Sequence, residues 1–331
     1  MESIMIEKCR LCEKEELSVY YELDNDRGFL YSCDNCGFIQ MPVMPIDELD
    51  SVASQESIFQ DVDRKTSPED MKINEEIGLS GPMSRMAHIL REDSIRINRI
   101  IKEIIDKNFS SVNNLQFIDI GSGYGQHSFS LKKEFPELDF HLLEISRERM
   151  KEGIRCFKPN LNDFNFHHAL LDDDFASEHS NKFDISFSFH VLEHVYNIKD
   201  FIRNMFEITK DGGTIILELP NEDDDLSLLS ESYRKIIHFP AHVSHFTKKT
   251  LSKLIIEAGI EQKVDVSFRA TQRYGFFNYI DWLRHDKKDK VLSDDYTPRL
   301  NPTWIEKEWL KVKQQNFTTD SITMILKKHG S

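Results

Sequence analysis

Phe117-Ile118-Asp119-Ile120-Gly121-Ser122-Gly123-Tyr124-Gly125 runs from an apolar stretch into a glycine-rich turn, and a helical pattern begins near Gln126. Glycines suit such a turn because a side chain would block close approach of backbone to a ligand, and some positions need positive φ. The next apolar run, Phe140-His141-Leu142-Leu143-Glu144, ends in a carboxylate. That acid lies at about the 20-residue separation from which a carboxylate accepts hydrogen bonds from ribose hydroxyls. Strand, turn, helix, strand and acid in this order predict a nucleotide site on an α/β fold. The spacing Gly121-x-Gly123-x-Gly125, with Asp119 upstream, departs from the G-x-G-x-x-G of dinucleotide folds.

The alternation continues outward from this turn. Apolar runs at 115–120, 139–144, 165–170, 183–189 and 213–219, each followed by a helical stretch, argue for βαβ units and a parallel sheet. Further strands are expected near 263–269 and at Ser321 to Leu326. The expected fold is α/β: a doubly wound, Rossmann-like seven-stranded sheet with helices on both faces, plus a small N-terminal zinc ribbon. Between Ser84 and Phe109 apolar residues recur at helical spacing, predicting an amphipathic helix with a break near Asp93. Thr247 is the expected N-cap of a helix that stops at Gly259. Residues 1–45 read as the zinc-ribbon-like module, 46–110 as a helical linker or cap, and 111–331 as the main domain with an insertion at about 271–316. Within the insertion, Tyr274, Phe276, Phe277, Tyr279 and Trp282 suit a helix core better than a binding surface.

Cys9-x-x-Cys12 and Cys33-x-x-Cys36 are paired knuckles at a zinc-ribbon separation. Four thiolates imply a closed, tetrahedral structural Zn site, with iron in the same cage or a redox dithiol as alternatives. Cys156 stands apart and reads as a small buried apolar residue. The formal net charge of -15 argues against a broad phosphate-binding surface and so against nucleic acid as partner. No apolar run approaches the ~20 residues of a membrane span, and Met1 to Arg10 lacks the order of a secretion signal, so a cytoplasmic protein is expected.

The acid followed by G-x-G-x-G resembles the first motif of the class I S-adenosylmethionine methyltransferases. The resemblance spans roughly residues 85–270 and includes Phe183 to Val195 as fourth strand and following helix, and Lys210 to Leu217 as the turn into the fifth strand. It implies Asp119 near the methionine amino end of S-adenosyl-L-methionine, with Gly121, Ser122, Gly123 and Gly125 forming the turn. Glu144 and its neighbour Ile145 would lie at the ribose, Leu171 and Asp172 beside the adenine, and Phe189 at the cofactor pocket. The N-terminal zinc module is similar to those of bacterial methyltransferases acting on sugars and surface polysaccharides.

Two histidine groups remain. His190-x-x-Glu193-His194 matches the H-x-x-E-H signature of inverted zinc proteases, but that chemistry needs one continuous helix and His190 ends a strand. In the family this stretch borders the acceptor pocket, making His190 a candidate substrate contact. The second group is His238, His242 and His245. A methyl acceptor hydroxyl loses its proton as it attacks the sulfonium carbon, and a histidine can take it. His242 is the first candidate for that base, with His190 and His245 as further catalytic candidates. The segment is similar to the catalytic Glu-His region of the sugar C-methyltransferases, with Ala241 replacing the glutamate. The acids Glu222 to Asp225 read as a solvated loop, against a divalent metal shared with these histidines. The function expected is O-methylation of a small acceptor, a sugar, sugar nucleotide or surface-glycan intermediate. A C- or N-methyltransferase on another metabolite, and a catalytically silent zinc-ribbon and nucleotide-binding protein, are the alternatives.

Overall fold

The computed structural model describes residues 8–23, 28–41, 87–109, 112, 114–238, 241–286 and 302–330. The short helices expected over 46–84 lie outside these residues. Near the N-terminus, β1 (Leu17–Glu22), β2 (Phe29–Cys33) and β3 (Ile39–Gln40) form an antiparallel ribbon. The strands of the main sheet are β4 (Gln116–Ile120), β5 (Asp139–Leu143), β6 (Phe164–His167), β7 (Phe183–Phe189), β8 (Thr209–Pro220), β10 (Val264–Thr271) and β11 (Ser321–Lys328). They give seven strands in the order β10-β11-β8-β7-β4-β5-β6. β4 pairs in parallel with β5 and β7, and β5 with β6. Central parallel strands are covered on both faces, which is why they read as near-continuous apolar runs. Phe117, Phe140, Phe183 and Phe187 are fully buried.

Helix α1 (Ala87–Asn108) runs unbroken through Asp93, where a break was expected. A single aspartate costs a helix only a few tenths of a kcal/mol. Here Asp93 also accepts from Arg96 at 3.3 Å, one turn on. The buried stripe Ile97, Ile100, Ile101, Ile104 and Ile105 supplies what holds the helix. Asn98 donates to Ser130 (3.2 Å) and Glu134 (2.9 Å) of α2 (Gln126–Glu134). Strand β8 begins at Thr209 rather than 213, because Gly212 absorbs the kink at φ +72° and Lys210 reaches Asp184 at 2.8 Å.

By compactness the chain divides into two units. One holds Ser57–Phe189, Asn204–Ile216 and Lys327–Ser331, and so carries the glycine turn; the other holds Met1–Glu56, His190–Arg203 and Leu217–Leu326, and carries the ribbon and the histidines. Within the ribbon unit, β3 pairs antiparallel with the short β9 (Ser244–His245), Ile39 opposite His245 and Gln40 opposite Ser244. Leu23, Leu30, Ile39, Met41 and Val243 form one apolar cluster. Arg10, nine-tenths buried, bonds the Val243 carbonyl and stands 4.6 Å from the Tyr196 ring centre. Ribbon and histidine segment therefore share a sheet and a core.

The same unit contains α5 (Ile198–Ile208) in its first turns, α6 (Asp225–Leu229), α7 (Glu231–Ile237), α8 (Lys248–Glu257), α9 (Phe276–His285) and α10 (Trp304–Asn316). Thr247 caps α8 through a reciprocal bond with Thr250, as its sequence position predicts. Trp282 of α9 is buried with Leu226 and Tyr233, so this insertion aromatic is core. The acids at 222–225 are not a solvated loop. Glu222 and Asp224 are buried; Asp224 caps α6 and pairs with the buried Lys313 Nζ at 3.0 Å. Among the described residues no helix is long and apolar enough to cross a membrane.

Candidate active site and metal centre

Gly121, Gly123 and Gly125 all take positive φ, at +69°, +56° and +74°. The turn is tied to β5 by the Gly121 and Ser122 amides, which donate to the Leu143 carbonyl at 2.8 and 3.1 Å. Gly125 is the N-cap of α2 and brings no capping side chain, so the helix opens with exposed donors. A Cβ on Gly125 would strike the Phe129 ring at 2.7 Å, whereas one on Gly123 would meet nothing within 4 Å. Gly125 serves packing, then, and Gly123 faces open space. Glu144 accepts from the Gly123 amide (2.7 Å) and the Ser146 amide (2.8 Å), which fixes the carboxylate against the turn. Asp119 is fully buried and accepts from Ser128 Oγ at 2.7 Å. Burial pushes its carboxyl up to about 7, Ser128 opposing and Glu144 adding to the rise.

Ser122 Oγ is buried with no hydrogen-bond partner among the described residues. An orphaned hydroxyl, open space above Gly123 and uncapped helix amides fit a polar ligand such as S-adenosylmethionine. Ile145 follows Glu144 and is exposed; Phe189, at the end of β7, is buried with its ring 5.5 Å from that of His127. Asp172 caps α4 (Asp173–Glu178) through the Phe175 amide, and the Leu171 carbonyl accepts from Asn204. One contributor escaped the sequence reading: a Cβ on Gly153 would lie 1.9 Å from the Tyr124 carbonyl oxygen, so α3 (Arg147–Phe157) backs the turn directly.

The four cysteines come together. Cys9 and Cys36 sulfurs are 3.6 Å apart, and Cys12 and Cys33 sulfurs 3.5 Å. Sulfurs around tetrahedral zinc, each at ~2.3 Å, stand about 3.8 Å from one another, whereas a disulfide needs ~2.05 Å. The spacing fits a thiolate-bound zinc ion. The Gly37 amide donates to the Cys33 carbonyl at 2.7 Å with φ at +78°, the sharp turn a knuckle requires. Cys156 is buried in α3, as expected.

In the ribbon unit, five histidines and two glutamates form adjoining groups. His190 ends β7 at φ +56°, a strained region for a non-glycine residue. Its Nδ1 stands 3.4 Å from Glu193 and its Nε2 3.5 Å from Glu218. Burial and Arg273 oppose its protonation, but the two carboxylates win and its pKa rises. Glu193 and His194 lie in a single 3-10 turn, so no continuous H-x-x-E-H helix exists. Burial works against Glu193 ionising, yet His190, His194 and His242 draw its carboxyl down to about 2. His194 Nδ1 donates to the Ala241 carbonyl and His242 Nδ1 to the Ile237 carbonyl, each at 2.8 Å. Burial, then His194, lowers His242 to about 3.

Glu222 is the centre of the second group. It faces His238 Nε2 at 2.9 Å and His245 Nδ1 at 3.2 Å, and accepts from Tyr20 Oη at 3.0 Å. Burial would raise its pKa, but the two histidines carry it well below the usual carboxylate range. The three catalytic candidates are thus gathered, and Glu193 and Glu222 are the partners the sequence did not single out.

A family profile described as "Methyltransferase domain" matches residues 88–262. No curated protein matches the chain. Solved structures that are similar include a SAM-dependent methyltransferase from Archaeoglobus fulgidus, at 15% identity and TM-score 0.44, covering 71% of this chain and 94% of that one. The plantazolicin methyltransferase BpumL in complex with SAH is 13% identical, with TM-score 0.49 and coverage of 86% and 98%. Phosphoethanolamine N-methyltransferase 2 of Haemonchus contortus, in complex with S-adenosyl-L-methionine, is 16% identical with TM-score 0.44, covering 71% and 53%.

Proposed function

The chain belongs to the methyltransferase-domain family and is an S-adenosylmethionine-dependent methyltransferase, and on that premise we propose that it methylates a hydroxyl of a small, sugar-related acceptor. One observation carries the hydroxyl reading: His245 Nδ1 meets the Glu222 carboxylate at 3.2 Å, while its Nε2 is buried without a hydrogen-bond partner among the described residues. A carboxylate behind Nδ1 fixes the tautomer, leaves Nε2 as the accepting nitrogen, and stabilises the imidazolium that proton uptake creates. His242, the first candidate on sequence, has a neutral backbone carbonyl in that position. His245 is therefore the better base.

When bound, the donor supplies a sulfonium methyl group. Gly121, Ser122, Gly123 and Gly125 form its cradle, Glu144 takes the ribose hydroxyls and Asp119 the amino end. As the acceptor oxygen bonds to the methyl carbon the carbon–sulfur bond breaks, the sulfur leaves as a neutral thioether, and the hydroxyl proton passes to His245 Nε2. The sugar assignment is supported by the likeness of the 238–247 segment and the cysteine module to sugar methyltransferases. Ala241 stands where carbon methylation would want a glutamate.

Purified protein, metal-replete, should transfer tritiated methyl from S-adenosylmethionine to a nucleotide sugar or glycan extract. His245→Ala should lower kcat at least about 100-fold, the usual worth of a general base, with donor affinity unchanged. Labelling confined to amines or carbon, or full activity in that variant, would refute the reading.

A further inference from the structure

We propose that Glu193, His194 and His242 form a binding site for one divalent cation, separate from the cysteine cage, whose open positions receive oxygen atoms of the acceptor. One ligand atom from each of the three lies within 4.8 Å of the others. Two imidazoles and one carboxylate with vacant positions make a donor set that takes a transition metal ion.

The tautomers carry the assignment. A metal-binding histidine normally donates its second ring N–H to a carbonyl or carboxylate, which orients the ring and leaves the other nitrogen to the ion. His194 and His242 both do this, through the Ala241 and Ile237 carbonyls, so in each ring Nε2 is the nitrogen with the lone pair. Their ring centres are 4.9 Å apart. Glu193 supplies the charge: it is buried, its Oε2 has no hydrogen-bond partner among the described residues, and His190 steadies its Oε1 from 3.4 Å. His194 and His242 are partly exposed, which leaves the site an approach from solvent.

The neighbouring Glu222, His238 and His245 are equally close together but fail the same criterion. A cation there would take His238 Nε2 and His245 Nδ1, and would force protons onto His238 Nδ1 and His245 Nε2, both buried with no acceptor among the described residues. Two buried, unanswered N–H groups cost several kcal/mol. That group is a hydrogen-bonded base, and Glu193, His194 and His242 are the cation site. The ion's existence is independent of the proposed function; its use, to hold and acidify an acceptor hydroxyl, rests on that reading.

The test is a Co²⁺ titration of full-length, zinc-loaded protein with no methyl donor, followed by calorimetry and visible absorption. One equivalent should bind with weak ligand-field bands and without the sulfur-to-metal charge transfer that exchange into the cysteine cage would produce. His194→Gln and Glu193→Gln should each weaken binding at least about tenfold, while His238→Gln should retain it. His194 is 37% exposed, so its variant tests ligation without threatening the fold. Absence of a second equivalent in the wild type, charge transfer accounting for all the bound cobalt, or affinity unchanged in both variants would overturn the site. If the second ion binds yet no hydroxyl acceptor is methylated, the site stands and the acceptor reading falls. If methylation proceeds undiminished in protein that binds no second ion, the reverse holds.

Discussion

Lowering the pH from 7.5 to 6.0 should weaken donor binding about eightfold, through Asp119 alone. Its carboxyl is pushed up to about 7 by burial, so the unliganded protein holds a proton there in slightly acid solution. The donor's ammonium pairs only with the carboxylate. With a pKa of 7 the ionised fraction is about 0.76 at pH 7.5 and ~0.09 at pH 6.0, a ratio worth ~1.3 kcal/mol. The sign for stability is opposite. A folded-state pKa above the unfolded value of 3.8 means that Asp119's stabilising contribution is complete below that value and is lost as pH rises through about 7. Affinity for the donor should therefore rise over the range in which this contribution to unliganded stability falls. Calorimetry with S-adenosylhomocysteine in two buffers of different ionisation heat measures the affinity and the proton released together. Asp119→Asn should bind weakly at both pH values and release no proton. A flat affinity profile in the wild type, or asparagine binding as tightly as aspartate, would refute the reasoning.

Gly125→Ala should cost about 2–4 kcal/mol in urea unfolding, combining a positive φ with the clash against Phe129 and Leu142. Gly123→Ala, with open space around its Cβ, should cost only about 1–2 kcal/mol, for its φ alone, but should weaken donor binding because the methyl enters the cradle. Lys313→Met should destabilise by about 3–5 kcal/mol at neutral pH by leaving Asp224 buried and uncompensated. The loss should shrink in acid, where Asp224, raised to about 6 chiefly by burial, takes a proton. Cys33→Ser should remove one zinc per chain in metal analysis and speed hydrogen exchange across the β3–β9 pairing. Unchanged exchange at Met41 and His245 would mean that the cage does not support the histidine segment.

The sheet was legible because its signals are local. Each strand is an apolar run, Thr247 announces its helix, and Asp119, the glycines and Glu144 fall within two adjacent βα units. The histidine groups were legible only as letters. His190, Glu193 and His194 suggested a helix because the sequence does not reveal that His190 takes positive φ and that the turn after it is 3-10. Glu222 was hidden in a run of acids, and nothing local distinguishes it from Asp223. What selects it is its approach to His238 and His245. Gly153 was equally silent, since its constraint is the Tyr124 backbone on another turn of chain.

The position of β11 has a consequence for biosynthesis. Between β10 and β8 there is a gap that only Ser321–Lys328 fills, so both bordering strands leave the ribosome before their common neighbour. Until then β8 presents an unpaired, largely apolar margin, Thr214 to Leu219, to any extended segment nearby. Nascent chains stalled between Thr271 and Ser321 should thus be the species most dependent on chaperones and most prone to cross-pairing, whereas release of the last strand should end that vulnerability at once.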